Sequence, residues 1–146
     1  ITLVIHESNL PKGKGFSPVQ WQVLKNKNKI PAILFKATKN LDCGNVILKD
    51  NFKINATDLN EEIRISQANV TFKLIKRFLK IYPKYKEIPQ KSKSTYFRKR
   101  SKEDSKIDLK KSLKSQINLL RIVDNENYPA FFYYKGKKFI LKIYKN

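Results

Sequence analysis

The apolar residues of this 146-residue chain fall into two alternating spacings, and that alternation limits its fold more than any other feature. Ile1–Ile5 (I-T-L-V-I) and Ile30–Phe35 (I-P-A-I-L-F) are short runs rich in β-branched residues, which read as buried strands. Pro31 is compatible with a strand only near its start. Leu41–Asn45 reads as a turn, after which Val46–Lys49 and Phe52–Ile54 continue as strand. Asn55, Thr57 and Asp58 then mark a helix start, and Leu59, Ile63, Val70, Leu74 and Phe78 recur at helical spacing to about Leu79. Between the first two strands, Ser17-Pro18-Val19-Gln20 predicts a shorter helix. Ser17 serves as cap, Pro18 takes the first position, Gln20 is the capping-box partner, and Trp21 and Leu24 form a core-facing side.

Beyond Pro83 and Pro89, the Lys/Ser-rich run Gln90–Ser94 reads as a linker. Leu109, Leu113, Ile117 and Leu120 predict a second amphipathic helix. Ala130–Tyr134, the turn Lys135-Gly136 and Phe139–Tyr144 predict a terminal β-hairpin. The order of elements is that of an α/β fold followed by a small α+β tail, with no internal repeat.

Charge narrows the partners less than it first suggests. The net charge of +20 points to nucleic acid, because neutralising phosphates drives such binding. Yet the basic residues are 27 Lys and only 5 Arg, whereas phosphate and base recognition lean on arginine forks. Lys73 to Lys114 alone carries 16 basic and 4 acidic residues, mostly in the polar connecting stretch. A solvated lysine-rich surface is therefore favoured over a nucleic-acid face, and a small anion such as a diphosphate would profit from the same field. The lone Cys43 provides neither a disulfide framework nor a multi-cysteine metal site, and no metal is expected. No apolar run approaches the ~20 residues of a membrane span, so the expectation is a cytoplasmic protein. The absence of methionine and the start at Ile1 suggest a processed chain or a piece of a longer one.

One stretch is more specific. His6-Glu7-Ser8-Asn9-Leu10-Pro11-Lys12-Gly13-Lys14-Gly15-Phe16-Ser17-Pro18-Val19-Gln20-Trp21 resembles the family of formyltransferases that use 10-formyltetrahydrofolate. The shared pattern is a His at a strand end, a Ser two residues on, Leu-Pro, a glycine loop, and a Pro opening a helix with a Trp. Leu41-Asp42-Cys43-Gly44 is similar to the family's Asp-x-Gly turn and lies 36 residues after His6, the family's spacing. The segment from Tyr96 to Asp108 is similar to the post-catalytic segment of those enzymes. Asn118-Leu119-Leu120-Arg121 and Tyr128-Pro129-Ala130-Phe131 are similar to the C-terminal segments of the sugar-modifying branch.

The resemblance implies the C-terminal half of a Rossmann-like formyltransferase domain over residues 1–88, with the preceding half outside the chain. It also implies a basic linker over 89–108, and a helix plus β-hairpin over 109–146. The implied donor is 10-formyltetrahydrofolate, and the implied partner is a nucleotide-linked amino sugar. A homodimer is left open, and no membrane partner is expected. His6 is the implied general acid/base and Asp42 the carboxylate that orients it. Thr38, Lys39, Asn40 and Leu41 are implied to line the folate pocket, mainly through backbone, while Lys12 and Lys14 would meet an anionic substrate. Read without the resemblance, His6 is a structural side chain behind a strand and Asp42 a turn carboxylate. The Gly13/Gly15 loop lacks the Walker pattern.

Two positions depart from the family. Val4 stands where an Asn usually helps stabilise the oxyanion, and Phe16 where many members place an Arg. Alternatives are therefore a degenerate nucleotide-sugar binder, a methionyl-tRNA formyltransferase-like protein, and a basic nucleic-acid-binding module.

Overall fold

The computed structural model describes residues 1–146. Three strands, β1 (Leu3–His6), β3 (Lys29–Lys36) and β4 (Val46–Lys53), form the central sheet in that order. A two-residue strand, β2 (Lys14–Gly15), lies apart from it. Both pairings in the sheet are antiparallel, with His6 opposite Ile33 and Ile30 opposite Phe52. The expected mixed α/β class is borne out, and the strand expected to break at Asp50–Asn51 runs through.

Side chains alternate across a strand, so the sheet has two unlike faces. Leu3 and Ile5 point to a 13-residue apolar cluster that includes Ala32, Leu34 and Phe52. Helix α1 (Pro18–Leu24) adds Val19 and Val23 to it, and helix α2 (Asn60–Ile81) adds Ile63, Val70, Leu74 and Phe78. These last four are among the five residues whose spacing predicts the helix; the fifth, Leu59, immediately precedes it. Its first turn is tied off by Asp58, which accepts from the Asn55 amide at 2.7 Å, and by Glu62, which accepts from the Leu59 amide at 2.8 Å. The opposite face carries only Leu10, Ile33, Phe35 and Val46, with Val4 packed against them.

Three local expectations need correction. Ser17 precedes α1 but does not cap it: its φ is 51° and its side chain makes no capping bond. Trp21 is half-buried rather than core. Its Nε1 donates to the Arg98 carbonyl at 2.9 Å, and the Arg98 guanidinium stacks 4.7 Å from the ring centre. The helix expected over Leu109–Leu120 shrinks to α3 (Ile117–Ile122), and Leu109 and Leu113 are exposed. Gln116 explains this. Its Oε1 accepts from the Asp108 amide at 2.8 Å and its Nε2 donates to the Asp108 carbonyl at 3.0 Å. A side chain thus satisfies backbone groups that helical bonds would otherwise take up.

One buried cation anchors the tail. Arg121, 1% exposed, donates from Nε to the Asp58 carbonyl at 3.0 Å and from a terminal nitrogen to the Asn55 carbonyl at 2.6 Å. Behind it, Ile107, Leu120, Val123 and Ala130 form a small apolar cluster under the hairpin of β6 (Ala130–Tyr134) and β7 (Lys137–Leu141).

Candidate active site

His6 closes β1 on the sparsely apolar face and is 6% exposed. Its Nε2 lies 2.7 Å from the Gly13 carbonyl oxygen. A carbonyl can only accept, so Nε2 carries a proton. Nδ1 stands 3.7 Å from Asp42 Oδ2, near enough for an ion pair and too far for a hydrogen bond. Asp42 sits in the turn between β3 and β4 with a φ of 51°, a left-handed conformation that Asp tolerates better than most residues. The same Oδ2 accepts from the Gly15 amide at 2.8 Å. One carboxylate oxygen therefore faces the imidazole and holds the glycine loop in place.

The glycines of this constellation are required by contact. At Gly15 (φ +99°), a Cβ would fall 2.4 Å from the Phe97 carbonyl oxygen, and at Gly44 it would fall 1.5 Å from that of Lys36. Val4, close to His6 in β1, packs into the apolar cluster and offers no donor.

The stretch predicted as a linker is a wall of the site. Gln90 Nε2 donates to the carbonyls of Asp42 and Gly44, both at 2.8 Å. Thr95 Oγ1 accepts from the Gly13 amide at 2.9 Å. Strand β5 (Tyr96–Phe97) pairs in parallel with β2. Farther on, Arg98 grips Asp104 with both terminal nitrogens, and the Ser101 amide donates to the same carboxylate at 2.7 Å. These bonds, Arg98 foremost, hold the Asp104 carboxyl far below the usual carboxylate range. Composition hides all of these residues. The one signal, the resemblance over Tyr96–Asp108, covers Arg98, Ser101 and Asp104 but neither Gln90 nor Thr95.

The remaining expected site residues divide. Thr38, Lys39, Asn40 and Leu41 form an exposed loop directly ahead of Asp42, with Thr38 Oγ1 donating to the Asn40 carbonyl at 3.0 Å. Lys12 projects into solvent, whereas Lys14 is 4% exposed and its Nζ lies 2.9 Å from Cys43 Sγ. No group of three or more His, Cys, Asp or Glu side chains could hold a metal ion.

A cavity of about 400 Å³ opens beyond the glycine loop, and neither His6 nor Asp42 lines it. Phe16 and Gln20 form one side, Arg64 comes from α2, and Lys99 and Arg100 come from the polar strap that runs from Gln90 to Asp104. Burial lowers the Arg100 pKa from its ordinary value, and its buried Nε has no hydrogen-bond partner. Three cations against one carboxylate, Asp124, favour an anion there. Arg64 carries no signal in the sequence, because an arginine on a long amphipathic helix reads as surface.

No family model matches the chain. It is similar to the methionyl-tRNA formyltransferase of Malacoplasma penetrans, 27% identical over 146 residues, or 97% of this chain and 44% of the relative. Among solved structures, the methionyl-tRNA formyltransferase from Clostridium thermocellum superimposes with a TM-score of 0.78 at 23% identity, covering 97% of this chain and 61% of that one. WlaRD, a sugar 3N-formyltransferase crystallised in the presence of dTDP and 5-N-formyl-THF, gives 0.70 at 24% identity, covering 88% and 51%. The likeness read in the glycine loop and the Asp-x-Gly turn thus extends over nearly the whole chain, and it is to formyltransferases of both kinds. The chain spans less than half the length of the Malacoplasma relative, and no helix is long and apolar enough to cross a membrane.

Proposed function

We propose that this chain, which has the fold of formyltransferases, is the C-terminal part of a catalytic region that formylates the amine of a nucleotide-linked amino-deoxysugar in the cytoplasm. The observation that carries the reading is the placement of His6 beside Asp42 at one end of the sheet, held by a glycine loop that leads into a cationic cavity. The exposed loop Thr38–Leu41, directly ahead of Asp42, would line the donor's pocket. The group that would lie there, 10-formyltetrahydrofolate, supplies the formyl carbon. His6 Nε2–H, held on the Gly13 carbonyl until a substrate displaces it, would act first as general acid, and once its proton is given up the vacated Nε2 would take the proton that the attacking amine loses. Asp42 fixes the ring from the Nδ1 side. Arg64, Lys99 and Arg100 would hold a diphosphate in the cavity, and Lys12, exposed on the glycine loop outside that lining, would meet the anion on its approach; Lys14 is turned inward and is left out of that set. WlaRD's association with dTDP supports a nucleotide-linked acceptor.

The test is formamide production by the full-length protein from the folate donor with a panel of amino-sugar nucleotides and, separately, methionyl-tRNA. Product with a sugar that is lost in His6→Ala supports the reading. Product with tRNA alone transfers the chain to the other branch. Val4 favours a second reading, a nucleotide-sugar binder without turnover, because its apolar packing removes the side-chain donor expected for the oxyanion. Binding with no formamide would identify it.

A further inference from the structure

We infer that Lys14 and Cys43 join through a covalent nitrogen–sulfur bond when Cys43 is oxidised by a peroxide. Lys14 is 4% exposed and makes no ion pair. Its Nζ has a single hydrogen-bond partner, Cys43 Sγ, at 2.9 Å, and the Tyr96 ring lies 6.0 Å away. Buried ammonium groups are ordinarily paired with a carboxylate; here a thiol occupies that place. That separation is slightly shorter than the roughly 3–3.5 Å at which two atoms are set to react. Cys43 is only partly buried, and its other contact is the Leu41 carbonyl at 3.2 Å, so a small oxidant reaches the sulfur from solvent.

The chemistry balances in two steps. Peroxide oxidises the thiol to a sulfenic acid and is itself reduced to water. The Lys14 amine, having released its extra proton to solvent, then attacks sulfur. The N–S bond forms, the S–O bond breaks, and the departing hydroxide takes a proton from nitrogen and leaves as a second water. Sulfenic acids are known to condense with nitrogen in this way. The link would fasten the glycine loop to the Asp42 turn beside the Gly15–Asp42 hydrogen bond, fixing two walls of the His6 site. It does not depend on what that site transfers.

The experiment treats the full-length protein with hydrogen peroxide and reads intact mass and a tryptic map. The expected product is lighter by two hydrogens, resists cleavage after Lys14, carries the Lys14 and Cys43 peptides joined, and reverts with a thiol reductant. Cys43→Ser abolishes the link. Lys14→Met also abolishes it and lets the cysteine proceed to sulfinic acid, heavier by two oxygens. Wild-type protein that accumulates unlinked sulfenic or sulfinic acid while trypsin still cuts after Lys14 overturns the inference. That map decides alone if Lys14→Met does not fold.

Discussion

One face of the central sheet is held by shape and the other by individual polar bonds. On the first, thirteen buried apolar residues pack together, eleven from the sheet and helices α1 and α2 and the other two Ile54 and Ile122, with Leu74 and Val23 each 0% exposed. On the second, four apolar residues suffice. The rest of the cover comes from a polar strap in which Gln90, Thr95 and Arg98 make specific hydrogen bonds to distant parts of the chain. The apolar face can lose a methylene and relax. The polar face depends on close backbone approaches and has less tolerance for added volume. The candidate site of His6 and Asp42 lies on the face that is not sealed by packing.

The sharpest contrast is therefore a small substitution on the polar face against a large one on the apolar face. Gly44→Ala adds one carbon 1.5 Å from a backbone oxygen of β3. Since neither backbone can yield cheaply, the expected loss is about 4 kcal/mol or more, at the extreme of single substitutions. Leu74→Ala removes three carbons from the centre of the larger cluster, and its expected cost is about 3 kcal/mol. Urea unfolding of both variants checks the order. If Gly44→Ala proves milder than Leu74→Ala, the polar face is more pliable than its contacts indicate.

The same division governs what can be read from the sequence. The apolar face is legible because its stabilisation is periodic: Ile63, Val70, Leu74 and Phe78 announce α2, and the run at Ile30–Phe35 announces β3. The polar face is legible only at His6, Asp42, the glycines and the strap from Tyr96 onward, through their resemblance to a family pattern. Gln90 and Thr95 act through single bonds between distant parts of the chain, and no local spacing encodes such bonds. Leu109 and Leu113 show the reverse error. Their helical spacing is real, but Gln116 closes the backbone of residues 108–112 into a loop and leaves both side chains outside.

Thr95→Val tests the strap with volume nearly unchanged. It removes the acceptor of the Gly13 amide, and the expected loss is about 1 kcal/mol of stability. The effect on the site should exceed the effect on the fold, because Gly13 is also the partner of His6. Amide exchange at Gly13 and Gly15 should accelerate in this variant while exchange in α2 stays unchanged. Equal acceleration in both regions would mean that the two faces unfold as one unit.

The smallest expected effect is a pH dependence at the far end of the strap. Arg98 and the Ser101 amide hold the Asp104 carboxyl well below its unfolded value of about 3.9. A carboxylate depressed in the folded state contributes stability that is complete above that unfolded value and declines as pH falls below it toward the folded value. Wild type should therefore exceed Asp104→Asn in Tm at neutral pH, and the gap should narrow on acidification below about pH 4. Because Arg98 is 62% exposed, the gap should be modest and should shrink in high salt. The apolar face has no such dependence, so a Leu74→Ala deficit should persist unchanged over the same range. A gap at Asp104 that is insensitive to both pH and salt would mean that the strap is held at that end by the stacking of Arg98 on Trp21 rather than by the ion pair.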